Sequence, residues 1–267
     1  MEVTASDSWI ATEWGLLFVR SWKPSVMSKD RDETILVLHD SLGCVELWRS
    51  FPAKLAAATG RPVVAYDRLG FGRSDACDEP QAPTFIRDEA VKVVPRLLEQ
   101  LGISRVILFG HSVGGSMAVA VAAHLPGMCA ALITESAPSF VEDRTLVGVR
   151  AGKADFERPD RFERLVRYHG SKARWVLDAW IKTWLAPSFS GWCLDDDLSG
   201  VSCPILALHG ERDEFGSIEQ PERIARLTSG ASRVLVLEGC GHAPHREDPT
   251  RVLKDVAHFL AQYDVVA

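Results

Sequence analysis

Apolar residues fall along this chain in short unbroken runs, at 34–38, 62–66, 105–109, 130–134, 204–208 and 233–237. Each run is too short for a helix and lacks the in–out alternation of a sheet with one wet face. Such runs belong to strands of a parallel sheet covered on both faces. Residues 16–19 read as an earlier strand, in a hairpin with the segment around Trp9. The stretches between runs carry helical spacing. One spans 46–59 and ends at Gly60. A second spans 84–101, with Thr84 as N-cap, Asp88 and Glu89 near its start, Gly102 as terminator and Pro95 bending it. Asp248 and Pro249 open the last helix, whose buried face is Val252, Leu253, Val256, Phe259 and Leu260. Repeated β-α-β units with right-handed crossovers give an open, mostly parallel, doubly wound α/β sheet.

The rhythm breaks between 134 and 204, where no strand-like run occurs and aromatic residues lie among many charges. Within 171–185, one helical stripe holds Trp175, Trp180 and Trp184, and another holds Leu177, Ile181 and Leu185. A helix apolar on two faces is packed on both sides. The segment reads as a helical cap inserted at 136–202, over a core made of 1–135 and 203–267. Ligands of open α/β sheets bind at the C-terminal strand edge, which such a cap would cover. Its three tryptophans are candidate substrate contacts. An ordinary helical excursion, held down by its tryptophans, is the alternative.

Composition narrows the classes of function. The 267 residues carry 30 basic and 36 acidic side chains, 46% hydrophobic and 25% charged residues. These values suit a folded globular chain and exclude a disordered one. A net charge of −6 gives no attraction to nucleic acid or to anionic membrane surfaces. The six cysteines include no C-x-x-C pair, so no zinc knuckle or thioredoxin-like motif is available. Residues 1–10 have no basic, apolar leader, and the most apolar stretch, 113–125, is too short to span a bilayer. A cytoplasmic protein with reduced thiols is expected.

Gly110-His111-Ser112-Val113-Gly114 matches G-x-S-x-G, directly after the run 105–109 and before a small-residue helix. A serine on so tight a strand-to-helix turn requires neighbours without bulk, and the turn lifts its hydroxyl clear of the sheet. The Val113 N–H, at a helix N-terminus, then faces a developing oxyanion. A serine hydroxyl needs a base, and the base needs an acid to orient it. Asp213 follows the run 204–208, with Glu211, Glu214 and the more distant Glu135 as rivals. His242, flanked by Gly241 in the loop after 233–237, is the candidate base, with His245 as its competitor. His111 adjoins the serine and is a candidate pocket residue. The loop after 34–38 offers Ser41 as a second backbone donor.

These residues, taken together, resemble the α/β-hydrolase superfamily, in its small capped serine-esterase and epoxide-hydrolase-like branch. The resemblance covers nearly the whole chain, through 39–43, the glycine-rich loop 66–74, 110–115, 209–213, Gly241-His242 and the trailing 247–249. It implies a triad of Ser112, Asp213 and His242, with the Ser41 and Val113 amides as oxyanion hole and no metal or organic cofactor. Many relatives have glycine where this chain has Asp40, whose carboxylate would repel an oxyanion if it pointed inward. It is expected to face away and hold its loop. Serine at the nucleophile position counts against haloalkane dehalogenase and epoxide hydrolase chemistry, which use aspartate there.

The expected activity is hydrolysis of a carboxylic ester or lactone, bulky or apolar, through an acyl-enzyme. Two other classes remain open: carbon–carbon bond cleavage by the same triad, and a slow-turnover ligand receptor. The expected partner is a small molecule, and the chain is expected to act as a monomer or small homo-oligomer.

Overall fold

A computed structural model describes residues 1–26 and 32–263. Eight strands form one sheet: β1 (Val3–Thr12), β2 (Gly15–Pro24), β3 (Thr34–Leu38), β4 (Val63–Tyr66), β5 (Val106–His111), β6 (Cys129–Glu135), β7 (Ile205–Gly210) and β8 (Ser232–Leu237). Their order is β1-β2-β4-β3-β5-β6-β7-β8. The strands from β3 onward pair in parallel, whereas β1 and β2 form an antiparallel hairpin in which Trp9 lies opposite Phe18. Every residue of β4, β5 and β7 is buried, as the unbroken apolar runs require.

Two apolar layers sandwich the sheet. On one side, α1 (Phe51–Thr59) packs with α11 (Pro249–Tyr263), which buries Val252, Val256, Phe259 and Leu260. The Asp248 carboxylate accepts the Arg251 N–H and caps α11. On the other side lie α2 (Phe85–Asp88), α3 (Val94–Leu101) and α4 (Val113–His124), whose small residues are almost all buried.

Two expected helices are interrupted. The stretch 46–59 splits into a tight turn, Val45–Trp48, and α1, because Arg49 takes a left-handed φ of 52° between them. The stretch 84–101 contains a wide π turn, Glu89–Val93, between α2 and α3. Pro95 falls in the first turn of α3, where its missing N–H costs nothing, so it starts a helix rather than bending one. The Thr84 hydroxyl bonds the Asp88 side chain and does not cap the helix backbone.

Between β6 and β7 the chain forms α5 (Asp143–Asp155), α6 (Pro159–His169), α7 (Ala173–Trp184) and α8 (Asp195–Gly200). The segment leaves and rejoins the sheet through a short stem. Phe140 bridges Cys193, the Leu194 N–H donates to the Ser139 carbonyl, and the Val141 N–H donates to the Trp192 carbonyl. The last helix of the segment does not cover the site. Helix α8 packs along α4, with Leu194, Leu198 and Val201 in the main core, because this stretch is already returning to β7. The fold continues through α9 (Glu219–Leu227) and α10 (Pro244–Glu247), the latter directly before α11. Among the described residues, no helix is long and apolar enough to cross a membrane.

Candidate active site

The turn between β5 and α4 exists because its neighbours have no side chains. A Cβ on Gly110 would lie 2.2 Å from the Gly114 carbonyl oxygen, and one on Gly114 would lie 2.2 Å from that of Leu38. This close approach lets the chain reverse sharply, and Ser112 takes a φ of 54° and ψ of −129° at the apex. Such a backbone is strained for a residue with a Cβ and persists only where the surroundings enforce it. The N–H groups of Val113 and its successors, in the first turn of α4, lack intrahelical acceptors by position.

Ser112, Asp213 and His242 come together from three strand ends. The Ser112 Oγ lies 2.9 Å from His242 Nε2, and His242 Nδ1 lies 2.8 and 2.9 Å from the two oxygens of Asp213. Asp213 Oδ1 also accepts the N–H groups of Phe215 and Gly216. Burial works against a charged Asp213, but the bonds from His242 and the Phe215 amide outweigh it and hold the carboxyl below its ordinary range. With Nδ1–H donated to that carboxylate, His242 presents Nε2 as an acceptor for the serine proton.

The loop that bears His242 is clamped at consecutive backbone positions. Glu247 accepts the N–H groups of Gly241 and Ala243, and His111 Nε2 donates to the His242 carbonyl at 2.8 Å. The Phe215 ring packs 4.6 Å from the imidazole. In the sequence Glu247 stands out only as part of the trailing 247–249 of the family resemblance, with nothing to show that it holds the His242 loop.

Two of the rivals for the triad, Glu135 and His245, pair with each other. Glu135 Oε2 lies 2.5 Å from His245 Nδ1, its other oxygen accepts the His245 N–H, and both side chains are buried. Burial disfavours the charged Glu135, but the contact with His245 prevails and lowers its titration. Burial pushes the titration of His245 down against the pull of Glu135, and its Nε2 has no polar partner beside Trp48 and Phe51. With His111, these residues bring three metal-ligating atoms within 4.8 Å of one another. Hydrogen bonds already engage both Glu135 oxygens, His245 Nδ1 and His111 Nε2, so the cluster is a hydrogen-bonded prop under the His242 loop.

Above Ser112 lies a cavity of about 590 Å³. Its walls include Ser41 and Leu42 from the loop after β3, and Val149, Phe156, Trp180 and Trp184 from the inserted helices. The largest lining side chains are apolar, as small-molecule sites require. Trp175, expected to join Trp180 and Trp184, lies outside this cavity. It packs on Gly70 and Phe71, its indole N–H donates to the Glu79 carbonyl, and it borders a separate surface groove. The separation follows from helix geometry, since five positions turn a helix by roughly 140°. His111 reaches the back wall of the cavity but is buried, with its ring nitrogens toward the His242 carbonyl and Asp40. Asp40 turns one oxygen to the Leu42 N–H and the other toward His111 and Arg246, so it organises its own loop.

Comparison with known proteins agrees with this geometry. Over 106 residues the chain is 37% identical to a (lyso)-N-acylphosphatidylethanolamine lipase from Bos taurus, a match that covers 39% of this chain and 30% of the lipase. The chain thus spans under a third of the first curated relatives' length. A match of 27% identity covers 87% of this chain and 88% of the 2-hydroxymuconate semialdehyde hydrolase of Pseudomonas sp. (strain CF600). Among solved structures, a proline iminopeptidase of Mycobacterium smegmatis superposes with a TM-score of 0.74 at 22% identity, over 97% of this chain and 99% of that one, and shares its fold. Residues 35–255, which hold the serine turn, the acid and the histidine loop, match the profile of the alpha/beta hydrolase family, and the chain belongs to that family.

Proposed function

We propose that this protein is a serine hydrolase that cleaves a carboxylic ester or lactone with a bulky apolar portion. The observation that carries this reading is the continuous hydrogen-bonded line from Ser112 Oγ through His242 to the buried Asp213, placed under an apolar cavity. Ser112 Oγ attacks the carbonyl carbon while His242 Nε2 takes the hydroxyl proton. The Ser41 and Val113 N–H groups donate to the oxyanion. His242 then returns the proton to the leaving oxygen, and a water molecule repeats the sequence on the acyl-serine to release the acid. Val149, Phe156, Trp180 and Trp184 support an apolar acyl or alcohol portion. Six unpaired thiols support a cytoplasmic setting.

Carbon–carbon bond hydrolysis is the second reading. It is favoured by the full-length similarity to a 2-hydroxymuconate semialdehyde hydrolase, against the partial similarity to lipases. The same triad suits both reactions, so activity on substrates separates them.

The test is fluorophosphonate treatment with mass-spectrometric mapping, beside a p-nitrophenyl ester series and Ser112→Ala. The ester reading expects an adduct on Ser112 and turnover that falls by roughly 10⁴-fold or more in the variant. Labelled Ser112 with poor ester turnover, but rapid cleavage of 2-hydroxymuconate semialdehyde, selects the second reading. A folded protein whose Ser112 resists the probe overturns both.

A further inference from the structure

His111 lies between two loops that have to keep register during catalysis. Its Nε2 donates to the His242 carbonyl, and its Nδ1 lies 3.4 Å from Asp40 Oδ2, on the loop that also carries Ser41. Nδ1 makes no hydrogen bond at that separation, so its contact with the carboxylate is ionic and is favourable only when both ring nitrogens carry protons. We propose that Asp40 and His111 form an ionic strut that fixes the His242 loop against the Ser41 loop, so that both are positioning residues for the triad. The inference rests on the reading of Ser112, Asp213 and His242 as a catalytic triad, whichever bond is cleaved.

The surroundings favour the charged ring. His111 is packed by Asp40 from the loop after β3, Glu135 from the end of β6, His242 from the loop after β8, and His245 from α10, with Trp48 at its edge. Arg246 approaches Asp40 at 3.7 Å from the solvent side. Burial opposes a charged His111, but Asp40, Glu135 and the His242 carbonyl outweigh it and raise its titration above the ordinary histidine range. Burial likewise opposes a charged Asp40, and His111 and Arg246 outweigh it, lowering that carboxyl. A histidine raised in the folded state gives its support in full below about pH 6.5, and the support fades as pH rises through the raised value.

The experiment measures the rate of fluorophosphonate labelling of Ser112 against pH, together with ring-nitrogen NMR of His111, in wild type, Asp40→Asn, His111→Gln and His111→Leu. In wild type at pH 7 both His111 ring nitrogens are expected to be protonated, and Asp40→Asn is expected to make the ring neutral at that pH. Wild-type labelling falls as His111 loses its proton on the alkaline side, and Asp40→Asn moves that fall to lower pH. His111→Gln keeps a donor toward the His242 carbonyl but carries no charge to pair with Asp40, so it labels more slowly than wild type at neutral pH and shows no further fall on the alkaline side. His111→Leu lowers the rate roughly 10- to 100-fold, the scale of a misplaced catalytic group. A neutral His111 at pH 7, or superimposable pH curves for wild type and His111→Gln, overturns the strut. If His111→Leu fails to fold, the near-isosteric Asp40→Asn and His111→Gln decide. Wild-type Ser112 that resists labelling at every pH overturns the triad reading instead, and the NMR of His111 still decides the ionic pair.

Discussion

Trp180 and Trp175 stand five positions apart on one helix and border different spaces, the first in the cavity over Ser112 and the second in a groove under residues 78–83. Trp180→Ala is expected to shift preference in a p-nitrophenyl ester series toward bulkier acyl groups, by roughly tenfold in kcat/KM ratio between short and long chains. Trp175→Ala should leave that ratio unchanged; equal shifts in the two variants would place both side chains against the substrate. The acid is a second case. Asp213→Asn keeps the shape but spoils the tautomer of His242, and kcat should fall about 10⁴-fold while Ser112 stays in place. An Asn variant with near-wild-type kcat would return the role to one of the other carboxylates. Ser112 was legible from its own neighbours, because the glycine pattern that the turn demands is local. Asp213 and His242 are named from their strand-end loops and from the family resemblance, whereas the pairing of their rivals Glu135 and His245 with each other has no local signal, since it depends on which partner lies across the sheet edge. Helical periodicity likewise grouped three tryptophans without saying which faced the ligand.

At the level of elements, the strand-to-helix turn has the least tolerance. A methyl group on Gly110 would collide with backbone at Gly114, which has no flexible end to move. Gly110→Ala is expected to destabilise the fold by roughly 1–3 kcal/mol, seen as a lower urea midpoint at unchanged m value. An unchanged midpoint would show that the turn relaxes without loss. All six apolar runs form parallel strands, but β8, at the sheet edge, buries only Leu237, so an unbroken apolar run does not by itself mean cover on both faces. Helix interruptions were less visible. Neither the left-handed Arg49 nor the π turn at Glu89–Val93 has a local sequence signal; in the latter, Tyr66 Oη donates to the half-buried Glu89 side chain. Pro95 starts α3 instead of bending a longer helix, because the turn before it has already changed pitch.

For the molecule as a whole, two buried carboxylates link stability to acid. Asp213 and Glu135 both titrate below their ordinary values in the folded chain, because contacts with His242 and His245 outweigh burial. Their contribution is complete above the unfolded values near pH 4 and is lost as pH falls through the folded ones. Tm should therefore decline below about pH 5, and Glu135→Gln, less stable at pH 7, should show a shallower acid decline. Parallel curves for wild type and variant would refute that link. The inserted helices bear on a different property. Their stem is closed by its own hydrogen bonds at Phe140–Cys193, so entry and exit already lie side by side before any helix is counted. Loop length then weighs little on folding, since each doubling adds only about 0.6 kcal/mol. A segment closed off in this way can lengthen or shorten with little strain on the sheet, because the strand ends that hold Ser112, Asp213 and His242 lie outside its stem.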